Sequence, residues 1–324
     1  MVPDGGNYDG CLGSVGALEV IEALNENKFV TNHPLEVIIF SNEEGYTIGS
    51  SMWIRQYSAE DIKAKSQSGL TIADGIRAIG GNPDSLSQVV KRKGDLTAFI
   101  ELHIEQGGIL EMENIQIGVV EGIVGIEKWT ITIEGVANHA GTTPMNMRHD
   151  ALLSAAKLII AVNEVITSYE GKQVGTIGKI SAEPGAYNVV PGKVVLGMEI
   201  RDLSVKKIGQ LFHDIEKKAD SIATTTGTKI SFAQPSKPVE PALTNKSIQS
   251  KIENSAKTLG FSYKFMQSGA GHDSQDMALI CPIGMIFVPS MGGISHSPKE
   301  FTKAIDMANG TNVLLQTILA IDKE

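Results

Sequence analysis

Two adjacent glutamates, Glu43 and Glu44, are the residues in this sequence whose chemistry is easiest to interpret. They follow the apolar run Leu35–Phe40, which is typical of a buried strand, so that strand would deliver both carboxylates to one edge of a sheet. Two like charges this close repel each other, and a nearby cation would remove the conflict. One carboxylate could then bind a metal ion while the other accepts a proton from water. An isolated Glu-Glu pair is more often a solvated turn, so this interpretation depends on the rest of the chain.

Three further segments place an aspartate or a histidine at the end of a predicted strand or in a glycine-rich turn. Asp9 lies in a glycine-rich loop, His103 follows the predicted strand Leu96–Leu102, and His296 lies in a turn rich in glycine and serine. Carboxylates and imidazoles together are a ligand set for zinc, manganese or cobalt. A lone histidine at such a position is usually a hydrogen-bonded structural residue. Only the combination of these segments favours a metal site.

The composition limits the class of protein. A chain of 324 residues is long enough for two domains, and a net charge of −9 without a basic patch argues against a nucleic-acid partner. Two cysteines, Cys11 and Cys281, cannot form a disulfide framework, which fits a reducing cytoplasm. We find no apolar stretch of membrane-spanning length and no signal sequence at the start. The composition therefore predicts a cytoplasmic globular protein with no membrane partner.

The order of the predicted elements indicates a two-part α/β fold. Apolar runs towards both ends of the chain are typical of strands in a sheet covered on both faces. Between them, the periodicity predicts the β-α-β-β-α-β order of a ferredoxin-like domain. The predicted elements of this insertion are Lys128–Glu134, Asp150–Tyr169, Val174–Ile180, Lys193–Arg201, Ser204–Thr226 and Lys229–Ala233. We therefore expect a discontinuous catalytic domain, residues 1–123 and 236–324, with an inserted domain at 124–235.

Eight short motifs occur in the order in which a known family carries them. The chain resembles the M20-type dinuclear metallohydrolases, and within them the branch of N-carbamoyl-L-amino acid hydrolases, β-ureidopropionases and allantoate amidohydrolases. The resemblance implies a metallopeptidase-like α/β catalytic domain with an inserted ferredoxin-like α+β domain that serves as lid and dimerisation surface. The motifs are Gly5–Gly10, Ser41–Gly45, His103–Gly107, Asn138–Met145, Asn188–Gly192, Arg201–Asp202, Ser268–Asp273 and Gly293–His296.

The resemblance implies a role for each of the residues that first suggested a metal site. Asp9 would bridge two ions, Glu44 and His296 would complete the ligands of one ion, and His103 would bind the other. Glu43 would be the general base. These ligands suit zinc, manganese, cobalt and nickel alike, so the sequence predicts two divalent ions without choosing the element.

The sequence departs from the family pattern at its start. The family carries a His-x-Asp-Thr motif just upstream, and Met1 stands where the threonine of that motif would fall. The motif's histidine ligand and the aspartate that orients it would then be absent, so the ion beside His103 keeps only Asp9 and His103. We expect that site to be weakened or empty, which makes an inactive chain an alternative to an active hydrolase. The first strand of the catalytic sheet would also be absent, leaving a sheet edge uncovered.

Further residues would bind the substrate, by the same resemblance. His139 would stabilise the oxyanion across a dimer interface, although a capping or surface histidine is an equal alternative from the residues alone. Asn188 offers a donor and an acceptor to a ureido group, but could instead form a turn. Arg201 would grip a substrate carboxylate, unless it only pairs with Asp202.

Three more residues would line the pocket by resemblance, namely Gln106, Gly271 and His272. The alternative for His272 is a structural role in a tight turn. Asp150 is interpreted as the N-cap of the helix that begins at Ala151.

The implied reaction is metal-dependent hydrolysis of the C–N bond of a small ureido acid of the N-carbamoyl-L-amino acid type, releasing ammonia and carbon dioxide. Two other enzymatic alternatives are allantoate hydrolysis and dinuclear aminopeptidase or aminoacylase chemistry. A third alternative is a catalytically inactive dimeric fragment. In each case we expect a homodimer formed through the inserted domain.

Overall fold

The computed structural model describes residues 5–45, 47–55, 57–58, 60–66 and 68–324, so the expectation about Met1 lies outside the described residues. The chain divides into two compact units, one extending to Ile123 and resuming at Ala242–Glu324, the other Val124–Pro241. The second unit continues past residue 235 because Ile126 and Val239 exchange both of their backbone N–H···O hydrogen bonds, each 2.9 Å long. This β-bridge holds the returning chain against the start of the inserted segment.

Helices and strands alternate along the first unit, and the second unit has helices and strands of its own. The helices are α1 (Cys11–Glu26), α2 (Ile48–Ile54), α3 (Ile72–Ala78), α4 (Ile109–Met112), α5 (Ala151–Ser168), α6 (Val205–Thr226), α7 (Lys246–Thr258), α8 (Asp273–Met277) and α9 (Ala304–Ile321). The strands are β1 (Phe99–Ile104), β2 (Ile117–Ile123), β3 (Gly125–Glu134), β4 (Asn138–His139), β5 (Val174–Glu183), β6 (Val189–Val190), β7 (Lys193–Asp202), β8 (Lys229–Ala233), β9 (Ala242–Leu243), β10 (Tyr263–Ser268) and β11 (Ile283–Val288).

The sheet of the first unit is buried on both faces. Its strands run in the order β1–β11–β2–β10, and β9 pairs with the end of β2. Along β11, Ile286 and Val288 pack with α1, α7 and α9, whereas Met285 and Phe287 pack on the opposite face with residues around α8. Every residue of β11 is buried, which explains why this strand reads as one continuous apolar run. The α/β class predicted from such runs is confirmed.

The second unit has the ferredoxin-like arrangement. Its antiparallel strands lie in the order β5–β7–β3–β8, with α5 and α6 packed on one hydrophobic core. Trp129 of β3 stacks on Phe212 of α6 with ring centroids 4.3 Å apart. The predicted N-cap is confirmed, because Oδ1 of Asp150 accepts the backbone N–H groups of Leu152 and Leu153 at 2.9 and 3.1 Å.

The predicted strand Leu35–Phe40 is wrong. The segment has no regular secondary structure, and within the described ranges it pairs with no other strand. A groove of about 950 Å³ is lined both by this segment and by residues of β1. Strand β1 is the edge strand among the residues described, and because Leu35–Phe40 makes no ladder with it, apolar composition alone did not make that segment a strand.

Helix α5 corrects the expectation that no apolar stretch could span a membrane. By length and composition alone it could cross one. Eight of its residues, among them Leu158, Val162 and Ile166, are buried in the second unit. Core helices pass the same test, and the packing of α5 accounts for its composition.

Candidate metal centre

The carboxylate of Asp9 lies between two imidazoles. Its Oδ1 is 3.0 Å from Nε2 of His103, and its Oδ2 is 3.2 Å from Nε2 of His296. Oε1 of Glu44 is 3.4 Å from the same nitrogen of His296. Two ligands of one tetrahedral zinc ion lie about 3.4 Å apart when each bond is about 2.1 Å. The four predicted ligands thus converge, and the donor set and the separate placement of the two Asp9 oxygens fit two divalent ions.

The backbone turns that present these side chains are strained. His296 has a φ of 53°, Gln106 of 56° and Asn42 of 61°, all in the left-handed region that side chains other than glycine rarely adopt. Asn42 directly precedes Glu43, and Gln106 follows the end of β1. Such strain persists only where the surrounding structure fixes it, and it is concentrated at functional sites.

Polar neighbours fix the orientation of Asp9. Nε2 of Gln106 donates a hydrogen bond to Oδ2 of Asp9 at 2.6 Å, and Oγ of Ser295 lies 3.2 Å from the same oxygen. The other amide atom of Gln106, Oε1, is buried and has no hydrogen-bond partner among the described residues. The structure therefore places Gln106 beside the metal-ligand cluster, with one acceptor available for a further group.

Asp9 and His103 shift each other's protonation. Burial raises the pKa of Asp9, but the hydrogen bond and charge of His103, with Gln106 and His296, outweigh it and hold that pKa well below its usual range. Burial lowers the pKa of His103, but the hydrogen bond to Asp9 and the charges of Glu101 and Asp9 raise it to about 9. Without a cation, the two groups therefore form an ion pair at neutral pH.

Glu43 has the properties of a proton acceptor. It is half-buried, and burial together with the charges of Asp273, Glu44 and Glu101 raises its pKa to about 8. Burial and the charges of Glu101 and Asp276 likewise raise the pKa of Asp273 to about 7. A carboxyl group that titrates near neutral pH can both accept and return a proton.

His272 is more deeply buried than expected for a residue that lines an open pocket. It is 2% exposed, and its Nε2 lies 2.8 Å from Oγ of Ser268. Burial, and then the charge of His103, lower its pKa well below the usual value. The neighbouring Gly271 is exposed. The structural alternative for His272 thus gains support from its hydrogen bond and burial.

Sequence reasoning missed two carboxylates near the ligands. Glu101 lies two residues before His103 on β1, and the period of two along a strand could have placed both side chains on one face. Glu300 is 3% exposed and accepts hydrogen bonds from Tyr8, Asp9 and Ser295. No signal marks Glu300 in the sequence, because a charged residue in a turn is usually solvated.

In the second unit, the turn after β4 fixes the tautomer of His139. Its Nδ1 accepts the backbone N–H groups of Gly141 and Thr142 at 3.0 and 3.2 Å. The neutral ring must therefore carry its proton on the exposed Nε2. Arg148, which sequence reasoning did not assign, donates from Nη2 to the carbonyl oxygens of Ala140 and Thr143 and stabilises this turn.

Asn188 lies beside His139, whereas Arg201 lies on a different sheet of the same unit. The backbone N–H of Ala140 donates to the carbonyl oxygen of Asn188 at 2.9 Å, and the Asn188 side chain is exposed. Nε and Nη2 of Arg201 both donate to Oε1 of Glu199, at 2.7 and 2.6 Å. The acidic partner found for Arg201 is thus Glu199, while Asp202 pairs with Lys207 at 3.5 Å.

Curated relatives match nearly the whole chain. An N-carbamoyl-L-amino acid amidohydrolase of Geobacillus stearothermophilus is 37% identical over 322 residues, which is 98% of this chain and 78% of the relative. A ureidoglycolate hydrolase of Oryza sativa subsp. japonica is 38% identical over 97% of this chain and 67% of its own length.

A solved structure agrees with this result. The amidase of the hydantoinase/carbamoylase family from Burkholderia multivorans is similar with a TM-score of 0.91 and 33% sequence identity, covering 99% of this chain and 79% of that one. Residues 2–320 match Peptidase family M20/M25/M40. With a family match over almost its full length and relatives more than a third identical, this chain belongs to the M20/M25/M40 peptidase family.

Proposed function

We propose that this protein is a metal-dependent amidohydrolase that cleaves the C–N bond of a small ureido acid of the N-carbamoyl-L-amino acid type. The observation that carries the proposal is the position of Asp9, with one carboxylate oxygen beside His103 and the other beside His296. Glu43 lies among the same group of charges with a raised pKa. The names of the Geobacillus and Oryza relatives support the choice of a ureido substrate.

Asp9, Glu44, His103 and His296 would hold the metal, with Asp9 bridging two ions. The chemistry that bound divalent ions supply is polarisation of the substrate carbonyl and a lower pKa for the attacking water. Carboxylate and imidazole donors suit zinc, manganese, cobalt and nickel, so the proposal extends to the class of ion and not to one element.

Glu43 moves the proton. Its carboxylate accepts a proton from water as the water oxygen attacks the ureido carbon, and returns it to the departing nitrogen. The balance is one N-carbamoyl amino acid and one water giving one amino acid, one carbon dioxide and one ammonia. The raised pKa of Glu43 suits it to returning the proton, and bound cations would lower that pKa and so favour the carboxylate that first accepts it.

The second unit would bind the substrate. The exposed Nε2–H of His139 is a fixed donor for the oxyanion, provided across the interface of a homodimer. The amide of Asn188 would bind the ureido group, and Arg201 would bind the carboxylate. Gln106 and Gly271 complete the proposed surroundings of the substrate, with the buried His272 packed behind them. We place the reaction in the cytoplasm, where the two free cysteines stay reduced.

Ammonia release from a substrate panel tests the proposal. The chain, loaded in turn with zinc, manganese, cobalt or nickel, is incubated with N-carbamoyl-L-amino acids, ureidopropionate, allantoate and dipeptides. We expect ammonia from a ureido acid and a loss of at least about 100-fold in Glu43→Gln with its metal content intact. Cleavage of dipeptides alone would favour peptidase chemistry. No turnover with any substrate, in a folded and metal-loaded chain, would favour the inactive dimeric module.

A further inference from the structure

The turn that carries Glu43 and Glu44 lies between two residues with a left-handed backbone conformation. Asn42 before it has a φ of 61° and Thr47 after it a φ of 49°, and neither residue is a glycine. The backbone N–H of Thr47 donates to the carbonyl oxygen of Glu43 at 2.8 Å, so the conformation of Thr47 determines where the backbone of Glu43 lies. A β-branched residue at positive φ is strained, and it keeps this conformation only where other contacts hold it.

A carboxylate from another helix holds Thr47. Oγ1 of Thr47 donates a hydrogen bond to Oδ2 of Asp276 in α8 at 2.8 Å. Oγ of Ser50, a fully buried residue of α2, lies 3.0 Å from the same oxygen and 3.1 Å from the carbonyl oxygen of Thr47. Hydrogen bonds to a charged acceptor are stronger than those between neutral groups. Asp276 therefore fixes the start of α2, directly after the turn.

Helix α8 is itself bonded to the edge strand β1. Oε2 of Glu101 on β1 accepts hydrogen bonds from the backbone N–H and the Oγ of Ser274 in α8, at 3.2 and 2.5 Å. Ser274 lies two residues before Asp276, so α8 binds β1 through one of these residues and α2 through the other. The turn before α2 is thereby held in a fixed relation to β1.

Helix α2 and the segment before the turn are in direct backbone contact. A Cβ atom on Gly49 of α2 would lie 2.5 Å from the carbonyl oxygen of Ser41 and 2.9 Å from its nitrogen, so only glycine fits this position. Since these contacts close the chain on both sides of Glu43 and Glu44, a displacement of α2 would move both carboxylates. A misplacement of about 1 Å at a reacting group can reduce turnover about 100-fold.

We propose that Asp276 is a positioning residue for the turn that carries Glu43 and Glu44, and that it acts through the hydroxyl of Thr47. The proposal deepens the proposed function and rests on it for the roles of the two glutamates as proton acceptor and metal ligand. The position of Glu43 affects turnover, whereas the position of Glu44 affects metal affinity even without substrate. Failure of the proposed function and failure of this proposal are therefore distinguishable.

A double-mutant cycle tests the proposal. Turnover at saturating metal, and Zn²⁺ affinity by calorimetry, are measured for Asp276→Ala, Thr47→Val and the double variant. Valine keeps the branched shape of threonine and removes only the hydroxyl. We expect Asp276→Ala to lower kcat about 10-fold or more with little change in KM, and to weaken binding of the ion held by Glu44 about 10-fold.

The coupling between the two positions is the decisive measurement. In the Asp276→Ala background, Thr47→Val should cause no further loss, because the hydrogen bond that it removes is already broken. Asp220→Ala, at an exposed aspartate of α6, is the matched control and should change neither kcat nor Zn²⁺ affinity. A folded Asp276→Ala chain with wild-type kcat and Zn²⁺ affinity would overturn the proposal. Losses that multiply in the double variant would overturn it as well.

A second pair of variants keeps the test valid if Asp276→Ala fails to fold, as judged by circular dichroism. Thr47→Ser keeps the hydroxyl and should retain most of the turnover and the Zn²⁺ affinity, whereas Thr47→Val should lose both. Equal behaviour of these two variants would overturn the proposal. If the wild type hydrolyses no substrate, the proposed function fails, and the Zn²⁺ affinities alone decide whether Asp276 positions the turn.

Discussion

The backbone N–H of Asp9 donates a hydrogen bond of 3.0 Å to the buried carboxylate of Glu300. The same oxygen accepts the N–H of Tyr8 at 2.9 Å, and the other oxygen accepts the hydroxyl of Ser295 at 2.7 Å. Glu300 therefore joins the loop that carries Asp9 to the turn that carries His296, although its own side chain is not a proposed ligand. Glu300 is therefore a positioning residue for two proposed ligands, Asp9 and His296.

Glu300→Ala should weaken metal binding more than it weakens the fold. Two backbone donors and a hydroxyl lose their acceptor, and Asp9 is no longer held against His296, so we expect zinc affinity to fall about 10- to 100-fold. Calorimetry with Zn²⁺ measures the loss. Glu300→Gln keeps one acceptor oxygen and should recover part of the affinity. A Glu300→Ala chain that binds zinc as tightly as the wild type would show that Glu300 has no such role.

The metal-free chain should lose stability as the pH rises from about 6 to 9. The pKa of Glu43 is raised from 4.5 to about 8, so between these values the folded state keeps a proton that the unfolded state releases, and rising pH favours unfolding. The pKa of His103 is raised from 6.5 to about 9, so its ion pair stabilises the fold below pH 6.5 and is lost as the pH passes 9. Both pKa values are raised in the folded state, so both groups make the folded state less stable as the pH rises.

Thermal unfolding of the chelator-treated chain across this pH range measures the effect. Glu43→Gln removes one of the groups with a raised pKa, Asp273 and His103 being the others, and should make the melting temperature depend less steeply on pH. Saturating zinc should reverse the trend, since metal binding requires deprotonated ligands and strengthens with pH. A melting temperature of the metal-free chain that is constant from pH 6 to 9 would contradict the shifted pKa values.

Arg201→Lys should raise KM for a ureido acid by about 10-fold or more, with a smaller change in kcat. A lysine cannot reproduce the planar fork that binds a carboxylate with two hydrogen bonds. The same variant should barely affect an N-carbamoyl amino acid amide, which lacks the carboxylate. Glu199→Gln should also raise KM, because Glu199 holds Nε and Nη2 of Arg201. Equal losses on both substrates would assign Arg201 a structural role instead.

Ile160→Glu should convert a homodimer to monomers. Helix α5 exposes Leu153 and Ile160 at 49% and 60%, and the edge strand β5 exposes Val174 and Ile180 at 51% and 54%. An acidic side chain in such an apolar surface is costly to desolvate at an interface. Light scattering with size-exclusion chromatography measures the mass. Ile79→Glu changes a 69%-exposed isoleucine of the first unit and is the matched control. A monomeric wild type would contradict the proposal.

Local patterns in the sequence predicted most elements but not how they pair. Strand β11 was predictable because burial on both faces leaves a continuous apolar run. Leu35–Phe40 has the same composition and forms no strand, because strand formation needs a neighbouring backbone and β1 lies across the groove. The composition of a segment indicates whether it tends to be buried. Whether it pairs with another strand depends on the rest of the chain.

The convergence of the four proposed metal ligands was predictable because these residues belong to recognisable motifs. Asp9, Glu44, His103 and His296 are near strand ends and glycine-rich turns, where fixed backbone directions bring side chains together. Glu101 and Glu300 were missed because their roles depend on long-range contacts, with Ser274 and with the Asp9 loop. Carboxylates that act through such contacts look like ordinary charged residues until the fold is known.

At Gln106 and His296, which have a left-handed backbone conformation, the residue that favours thermal stability differs from the residue that favours catalysis. Glycine adopts this conformation without steric cost, so Gln106→Gly and His296→Gly would each release strain on the order of 1 kcal/mol. A laboratory selection for thermal tolerance alone would therefore enrich glycine at these two positions. The selected variants would be more thermally stable but would lack the side chains that contact Asp9. Any such evolution experiment must therefore select for turnover in parallel.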